Sequence, residues 1–531
     1  MLKKNLIYFI ILIIIVICSF LLYMISLSFY PISYGPDGPY YDLQVRYILT
    51  TGFPESNDPP LVYYYLTIFV LLTNNSFLGI KLGMSVIAAA MAIPAYYLTG
   101  IFTEKVGIES KIPCLLSAFL ITFNVYCLRM IEDFMQNLAG TFFILVFLYF
   151  TTKWFENMKQ WYPNGILAFL AFTCAIFCHV FTAALALALF GILFIFNLFI
   201  KAIKMRKFPK KEFLIIIILI ILSLAIFIPL IILYPTTITN FISRFKSFFN
   251  SIFNADSKIN EIYRFGFLVF LNIPYILGIW CTFYFLSNNL RKNVSNRDIK
   301  SFPAKTYLAF SYIFLAILLF LLIIIPSTWQ ERFLLMAFLP IGLIIPLSII
   351  LILNWFKKLN KLHQKMRTIL ISIISIIFAL SSALIALRFV PKMGPIITMG
   401  EYNELTIIAN SYIPDEVNVS GIIFVSILHF GYWVEYILKM DYFTGNLEEK
   451  ATNYIGKPIY GIFRYNMEQM PFDPNYIYPW NPFLPYSENT LIRESFNLPK
   501  SSQPPPPFGI VIFHGGYLEM RLLYYSNGTK A

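Results

Sequence analysis

Residues 34–47 read Tyr34-Gly35-Pro36-Asp37-Gly38-Pro39-Tyr40-Tyr41-Asp42-Leu43-Gln44-Val45-Arg46-Tyr47. Gly35, Pro36, Gly38 and Pro39 surround Asp37 and force a turn there. Pro39 suits the first turn of a helix, where its missing N–H would have had no partner anyway. Tyr41, Val45 and Ile48 then recur at helical spacing and form one apolar face. Gly52 ends that helix, and Pro54, Pro59 and Pro60 keep it from resuming. The stretch therefore reads as a turn carrying Asp37, then a short helix lying along a surface. Asp42 and Arg46 stand one turn apart on it, the spacing of an i,i+4 ion pair.

The flanking sequence says what that surface is. Upstream, residues 6–27 form an apolar run behind Lys3 and Lys4. It is longer than a secretory h-region and has no small-residue cleavage site, so it reads as an uncleaved anchor. Downstream, apolar windows begin near Leu61, Ile80, Ile112, Leu138, Gly165, Ala183, Phe213, Phe265, Tyr307, Phe333 and Thr368. Runs of ~20 such residues cross a bilayer as helices. Of the 531 residues, 58% are hydrophobic and only 13% charged, against about 25% charged in a soluble globular chain. With a mean hydropathy of +0.71, this excludes a disordered, collagen-like, coiled-coil or ordinary cytosolic protein. The chain is an α-helical polytopic membrane protein. Its net charge of +13 then reads as the Lys/Arg excess of cytoplasmic loops rather than as a nucleic-acid surface.

Those loops set the topology. Residues 201–212, 291–305 and 357–367 are the basic ones, and placing all three in the cytoplasm fixes the direction of the spans between them. Parity with a cytoplasmic N-terminus lets one of the windows at Leu61 and Ile80 span. Residues 61–73 are too short, so they read as interfacial or re-entrant. About eleven spans result, with residues 1–389 as the membrane domain and residues 30–60 as its first outer loop. The other outer loops are residues 129–137, 236–264 and 327–332, and residues 390–531 form an outer domain. In that domain residues 401–411 and 431–439 read as helices. Residues 417–426, 458–465 and 508–513 read as strands, and the Pro-, Tyr- and Trp-rich 471–507 as irregular, giving a small α/β module. All six cysteines lie in or beside apolar segments and read as packing residues.

The first outer loop resembles that of the GT-C superfamily of membrane glycosyltransferases, which includes oligosaccharyltransferases, protein mannosyltransferases and lipid A aminoarabinose transferases. Asp37-Gly38-Pro39-Tyr40-Tyr41-Asp42 looks like the Asp-Pro-Tyr-Tyr-His type of motif with one extra residue after the acid. Thr51-Gly52-Phe53 and Asp58-Pro59-Pro60-Leu61 look like the later part of the same loop in that superfamily. The resemblance implies transfer of a sugar from a polyprenyl-phosphate donor at the outer membrane face, to a glycan, lipid or protein acceptor. It makes Asp37 and Asp42 the candidate catalytic acids, Asp37 as the base, and Tyr40, Tyr41, Arg129, His179 and Arg332 the candidate substrate-binding residues. Arg129-Met130-Ile131-Glu132-Asp133 resembles the second acidic loop, and His179 the outer-turn histidine these enzymes often carry. Arg332 resembles the arginine that binds the donor phosphate, a task its planar fork suits. Asp37 with Glu132 or Asp133 is alternatively a set of oxygen ligands for Mg²⁺ or Mn²⁺.

The sequence also departs from the pattern. The oligosaccharyltransferase motif Trp-Trp-Asp-x-Gly is absent, and the closest stretch, His429-Phe430-Gly431-Tyr432-Trp433-Val434-Glu435, shares only Gly-Tyr-Trp. Two further readings stay open. One is a transporter or lipid flippase, although ionisable residues here gather at span ends rather than near the midplane. The other is an inactive GT-C relative whose Tyr432, Trp433 and Trp480 stack on sugars.

Overall fold

The computed structural model describes residues 2–56, 58–103, 111–157, 163–205, 214, 243, 273–295, 304–320, 335–336, 338–358, 364–412, 421–425, 428–464, 509–526 and 528–530. Among the described residues the apolar runs are helices, as a bilayer demands: lipid supplies no hydrogen bonds, so each backbone group must find its partner within the segment. In chain order they are α1 (Leu2–Ser26), α2 (Gly38–Thr51), α3 (Leu61–Thr73), α4 (Ser76–Ala90), α5 (Ala92–Thr103), α6 (Lys111–Thr122) and α7 (Val125–Glu132). There follow α8 (Met135–Glu156), α9 (Asn164–Cys178), α10 (Val180–Met205), α11 (Ile273–Ser295), α12 (Ala304–Phe320), α13 (Phe338–Lys358) and α14 (Gln364–Phe389). Among the described residues, six helical stretches are long and apolar enough to cross a membrane: Leu6–Ser26, Ser76–Phe102, Lys111–Glu132, Met135–Glu156, Val180–Phe199 and Met366–Phe389. Helix α3, with 13 residues, is short, as its sequence suggests. The window near Phe213 and residues 236–264, 327–332 and 471–507 lie outside the described residues, apart from Leu214 and Ser243.

The chain divides into two compact units: Met1–Met24 with Ser56–Tyr65 and Gly83–Arg388, and Ile25–Glu55 with Leu66–Leu82 and Phe389–Ala531. In the first, small residues let helices approach closely. Gly140 of α8 faces Thr182 of α10 so tightly that a Cβ there would collide with the Thr182 side chain. Pro346 sits inside α13. It has no N–H to give the carbonyl four residues earlier, and the Ser117 hydroxyl of α6 donates to that carbonyl, Gly342 O, at 2.9 Å. Cys114, Cys127 and Cys178 are buried and every cysteine is a free thiol, in keeping with a packing role.

The second unit holds the sheet. After α15 (Met399–Ser411) come β1 (Ile422–Val425), α16 (Leu428–Leu438), β2 (Tyr442–Phe443), α17 (Leu447–Ala451), β3 (Ile459–Arg464), β4 (Ile510–His514) and β5 (Leu518–Tyr524). The strand order is β2-β1-β3-β5-β4. β1 pairs in parallel with β2 and β3, and β5 pairs antiparallel with both β3 and β4. All four residues of β1 are buried, which is why it reads as an unbroken apolar run rather than an alternating one. Leu405 and Ile408 of α15 and Phe430, Trp433, Val434 and Leu438 of α16 pack with Ile423, Val425, Ile462, Leu518 and Met520 in one core. Phe424, Phe443, Ala451, Ile459 and Phe463 form a second.

Helix α15 starts on a capping box, in which Thr398 and Glu401 satisfy each other's backbone N–H groups. The Glu401 carboxylate also receives Arg464 from β3, at 2.6 and 3.0 Å. Helices α15 and α16 and strands β1, β3 and β4 match the sequence expectations within a few residues. Strands β2 and β5 do not appear among those expectations. β2 is only two residues long, and Glu519 and Arg521 interrupt the apolar pattern of β5.

Candidate functional site

Helix α2 forms as its sequence dictates. Proline stands in its first turn, and Gly52 closes it at φ 85°, its N–H donating to Ile48 O. That left-handed backbone costs a glycine nothing. The loop ahead is tied down by Gly35, whose N–H donates to Gly394 O at 3.0 Å.

Asp37 precedes α2, and its carboxylate does not cap the helix. It turns to α16, where Asp37 Oδ1 lies 3.3 Å from His429 Nδ1, both side chains about a third exposed. Next to this pair, Tyr40 meets Tyr432 of α16 with ring centroids 5.2 Å apart, while Tyr41 is buried and meets Tyr40 edge to face.

Asp42 and Arg46 do not form the expected i,i+4 pair. Arg46 donates to Tyr436 O at 2.7 Å and Glu435 O at 3.3 Å. These carbonyls lie in the last turn of α16, where a cation is favoured; Glu435 O also accepts from Lys439 N at 3.0 Å. Asp42 is wholly buried and accepts hydrogen bonds from the hydroxyls of Ser33 and Ser76. Burial pushes its carboxyl up to about 7, against the opposing pull of those hydroxyls, Lys81 and Arg46. Lys81 donates to Tyr30 O at 2.6 Å and lies over the Tyr34 ring. Tyr47 donates to Glu435 at 2.8 Å, and burial raises the Glu435 carboxyl above its ordinary range. Asp42 thus fastens α2 from behind, and Asp37 is the acid on its accessible side.

The other candidates lie in the first unit. Asn124 ends α6 and caps α7, its side chain accepting from Cys127 N at 2.9 Å. Helix α7 then presents Arg129 to Glu132 at 3.1 Å and, past its end, to Asp133 at 2.9 Å. All three side chains are 3% exposed or less, so Arg129 is engaged by the two acids that accompany it in sequence. His179 is buried between α9 and α10. Its Nδ1 accepts from Phe181 N at 3.2 Å, satisfying an amide of the first turn of α10, and its ring stacks on Phe181. Among the described residues no group of three or more His, Cys, Asp or Glu side chains is placed to hold a metal ion. Arg332 lies outside the described residues.

Sequence reasoning did not assign His429 to this site. Its signal is faint: a polar ring in the otherwise apolar start of α16, nearly four hundred residues from Asp37. Trp433, a candidate sugar-stacking ring, is fully buried among Phe77, Tyr402 and Tyr436 and belongs to the core. Trp480 lies outside the described residues.

No protein-family model and no curated protein sequence matches the chain. Solved structures do. The Archaeoglobus fulgidus oligosaccharyltransferase in complex with Zn and sulfate is 14% identical with a TM-score of 0.57, over 82% of this chain and 62% of that one. The chain thus spans less than two thirds of that enzyme. AglB from the same organism, in complex with an inhibitory peptide and a dolichol-phosphate, is 11% identical with a TM-score of 0.55, over 85% and 69%. ArnT from Cupriavidus metallidurans bound to undecaprenyl phosphate is 11% identical with a TM-score of 0.54, over 96% and 97%. At such identities the likeness is one of fold.

Proposed function

Taking the GT-C fold of this chain as the premise, we propose that it is a membrane glycosyltransferase that moves a sugar from a polyprenyl-phosphate carrier to an acceptor outside the cytoplasm. The observation that carries the reading is Asp37, an accessible carboxylate on the turn ahead of α2, in a fold shared with proteins solved with dolichol-phosphate and undecaprenyl phosphate. The missing Trp-Trp-Asp-x-Gly motif argues against sequon-directed transfer of a whole glycan.

In this reading Asp37 takes the proton from the acceptor as the acceptor atom bonds to the anomeric carbon. The bond from that carbon to the phosphate oxygen breaks, and its electron pair leaves with the polyprenyl phosphate. Arg332 neutralises the leaving phosphate. Tyr40 lies beside the reacting sugar, and Asp42 and Tyr41 hold α2 in place. Arg129 and His179 are the further substrate-binding candidates, with Glu132 and Asp133 as supporting acids. The N-terminus is cytoplasmic, about eleven spans cross the cell membrane, and residues 390–531 lie outside.

The acids pose a separate question. Glu132 and Asp133 each pair with Arg129, so no step is routed through a metal. Loss of turnover on chelation, with recovery on adding Mg²⁺ or Mn²⁺, would assign Asp37, Glu132 and Asp133 to a divalent cation. Unchanged turnover would leave Glu132 and Asp133 to Arg129. The principal test is Asp37→Asn, assayed for sugar release from a panel of labelled polyprenyl-phosphate sugars. Turnover should fall by roughly two to four orders of magnitude in a protein that still purifies as a single species. Unchanged turnover refutes the role of Asp37, and no turnover by wild type with any donor refutes the function.

A further inference from the structure

We infer that Ser33 and Asp42 form a clasp that closes the loop carrying Asp37, and that both are positioning residues for it; the inference rests on the function proposed above. A base on a loop acts efficiently when its backbone is fixed before the acceptor arrives, because a loop that must first order itself gives back much of the gain from proximity. Ser33 precedes Asp37 by four residues and Asp42 follows it by five. The Ser33 hydroxyl donates to Asp42 Oδ2, which joins the two ends of the loop side chain to side chain. Both residues are buried, Asp42 wholly, and a hydrogen bond is electrostatically stronger there than in water.

The loop between them has little freedom left. A Cβ on Gly38 would lie 3.0 Å from the Ser33 Cβ. Gly35 donates its N–H to Gly394 O at 3.0 Å and pairs in parallel with Pro395. Pro36 has a fixed φ, and the Asp37 carbonyl accepts from Tyr41 N at 3.2 Å, the first hydrogen bond of α2. Ahead of the loop, Tyr30 N donates to the Tyr34 hydroxyl at 2.9 Å and Lys81 to Tyr30 O at 2.6 Å. What these bonds fix is the backbone of Asp37, whatever its carboxylate contacts. The other Asp42 oxygen accepts from the Ser76 hydroxyl, and that bond ties α2 to α4 without closing the loop. One carboxylate thus carries two bonds of the same kind with different consequences.

The test measures kcat and KM for sugar release from labelled polyprenyl-phosphate donors. Wild type is compared with Ser33→Ala, Ser76→Ala, Asp42→Leu, Asp42→Asn, Asp37→Asn and the double variant of Ser33→Ala with Asp37→Asn. Each protein is first checked for a monodisperse profile in detergent and for its thermal midpoint. Ser33→Ala and Ser76→Ala each take one hydroxyl from Asp42 and should lower the midpoint by similar amounts. Only Ser33→Ala should lower kcat, by about tenfold, the weight of one buried hydrogen bond, with KM changed by less than about twofold. Asp42→Leu should lower kcat about a hundredfold, the cost of an ångström-scale misplacement. Asp42→Asn should recover most of that loss, because an amide accepts from one serine and donates to the other. The contrast between the two serines stands even if Asp42→Leu fails to fold. In the Asp37→Asn background Ser33→Ala should cost nothing further, since the clasp acts through Asp37.

Equal falls in kcat for the two serine variants, or a further loss when Ser33→Ala is added to Asp37→Asn, would overturn the positioning role in favour of a packing one. A loss in Asp42→Asn as deep as that in Asp37→Asn would overturn it in favour of direct catalysis by Asp42. Wild-type kcat in Ser33→Ala, with Asp37→Asn inactive, would overturn the clasp and leave the function standing. Unchanged turnover in Asp37→Asn would overturn the role of Asp37 and this inference with it, and an inactive wild type would overturn the function as well.

Discussion

The Glu401–Arg464 pair offers the sharpest test of how the second unit is held together. Arg464 donates to both Glu401 oxygens, at 2.6 and 3.0 Å, and to Ile396 O at 3.0 Å, and its guanidinium lies 4.9 Å from the Phe430 ring centroid. Both side chains are 3% exposed or less, and Glu401 also caps α15 by accepting from Thr398 N at 2.7 Å. Removing either partner leaves the other charge buried with too few hydrogen bonds, a loss of roughly 3–5 kcal/mol. Removing both leaves no buried charge, and the groups short of a partner are Ile396 O, Thr398 N and the Thr398 hydroxyl, about 1–2 kcal/mol. For a unit of this size each kcal/mol lowers the thermal midpoint by about 2–4 °C. The single variants Glu401→Met and Arg464→Met should therefore lose roughly 6–20 °C, and the double variant roughly 2–8 °C. The assay is thermal unfolding of the full chain in detergent, followed by intrinsic fluorescence, with Trp433 reporting from the same core. A double variant that loses the sum of the two singles would refute the reasoning, since the residues would then act independently.

Asp42 predicts a pH dependence of stability. Its carboxyl is raised to about 7, chiefly by burial. Below the ordinary aspartate range it is protonated in both folded and unfolded chains and contributes no difference. Between that range and about 7 only the folded chain keeps the proton, so stability falls as pH rises through this window and levels off above it. Asp42→Asn should flatten that slope: chemical-denaturation midpoints of variant and wild type should converge near pH 4, and the variant should be the more stable at pH 8. A wild type that gains stability over the same window would refute the assignment. In the first unit, Gly140→Ala places a Cβ against Thr182, whose hydroxyl already donates to Ala175 O and His179 O, each at 2.9 Å. The crowding should cost about 1–3 kcal/mol, read as a lower thermal midpoint, and an unchanged midpoint would show that α8 and α10 part freely.

Several features were legible in residues 34–52 and their immediate neighbours without any tertiary information. The turn at Asp37, the helix from Gly38, its stop at Gly52 and the 13-residue length of α3 all follow from local chemistry. Proline and glycine act on their own backbones, so their effect can be read where they stand. The ionic partners could not be read that way. Asp42 and Arg46 have helical pair spacing, yet Asp42 accepts from Ser33 and Ser76 while Arg46 donates to α16. An exposed i,i+4 pair contributes only tenths of a kcal/mol, and that cannot compete with a buried carboxylate's need for donors or a helix end's need for a cation. The triplet of Arg129, Glu132 and Asp133 shows the opposite outcome: its spacing was honoured because α7 is buried and the charges had to neutralise one another locally.

The sequence by itself determined that this is a helical membrane chain with an acid-bearing loop after its first apolar run. Hydropathy is a sum over neighbouring residues, and lipid makes the helix the way to satisfy a backbone within one segment. Only the tertiary structure decided which way each side chain of that loop turns. It separated the fully buried Asp42 from the accessible Asp37, brought His429 to Asp37, and set β5 between β3 and β4. Those outcomes depend on contacts between residues far apart in the chain, where burial and hydrogen-bond partners are settled by packing and local spacing carries no information about them.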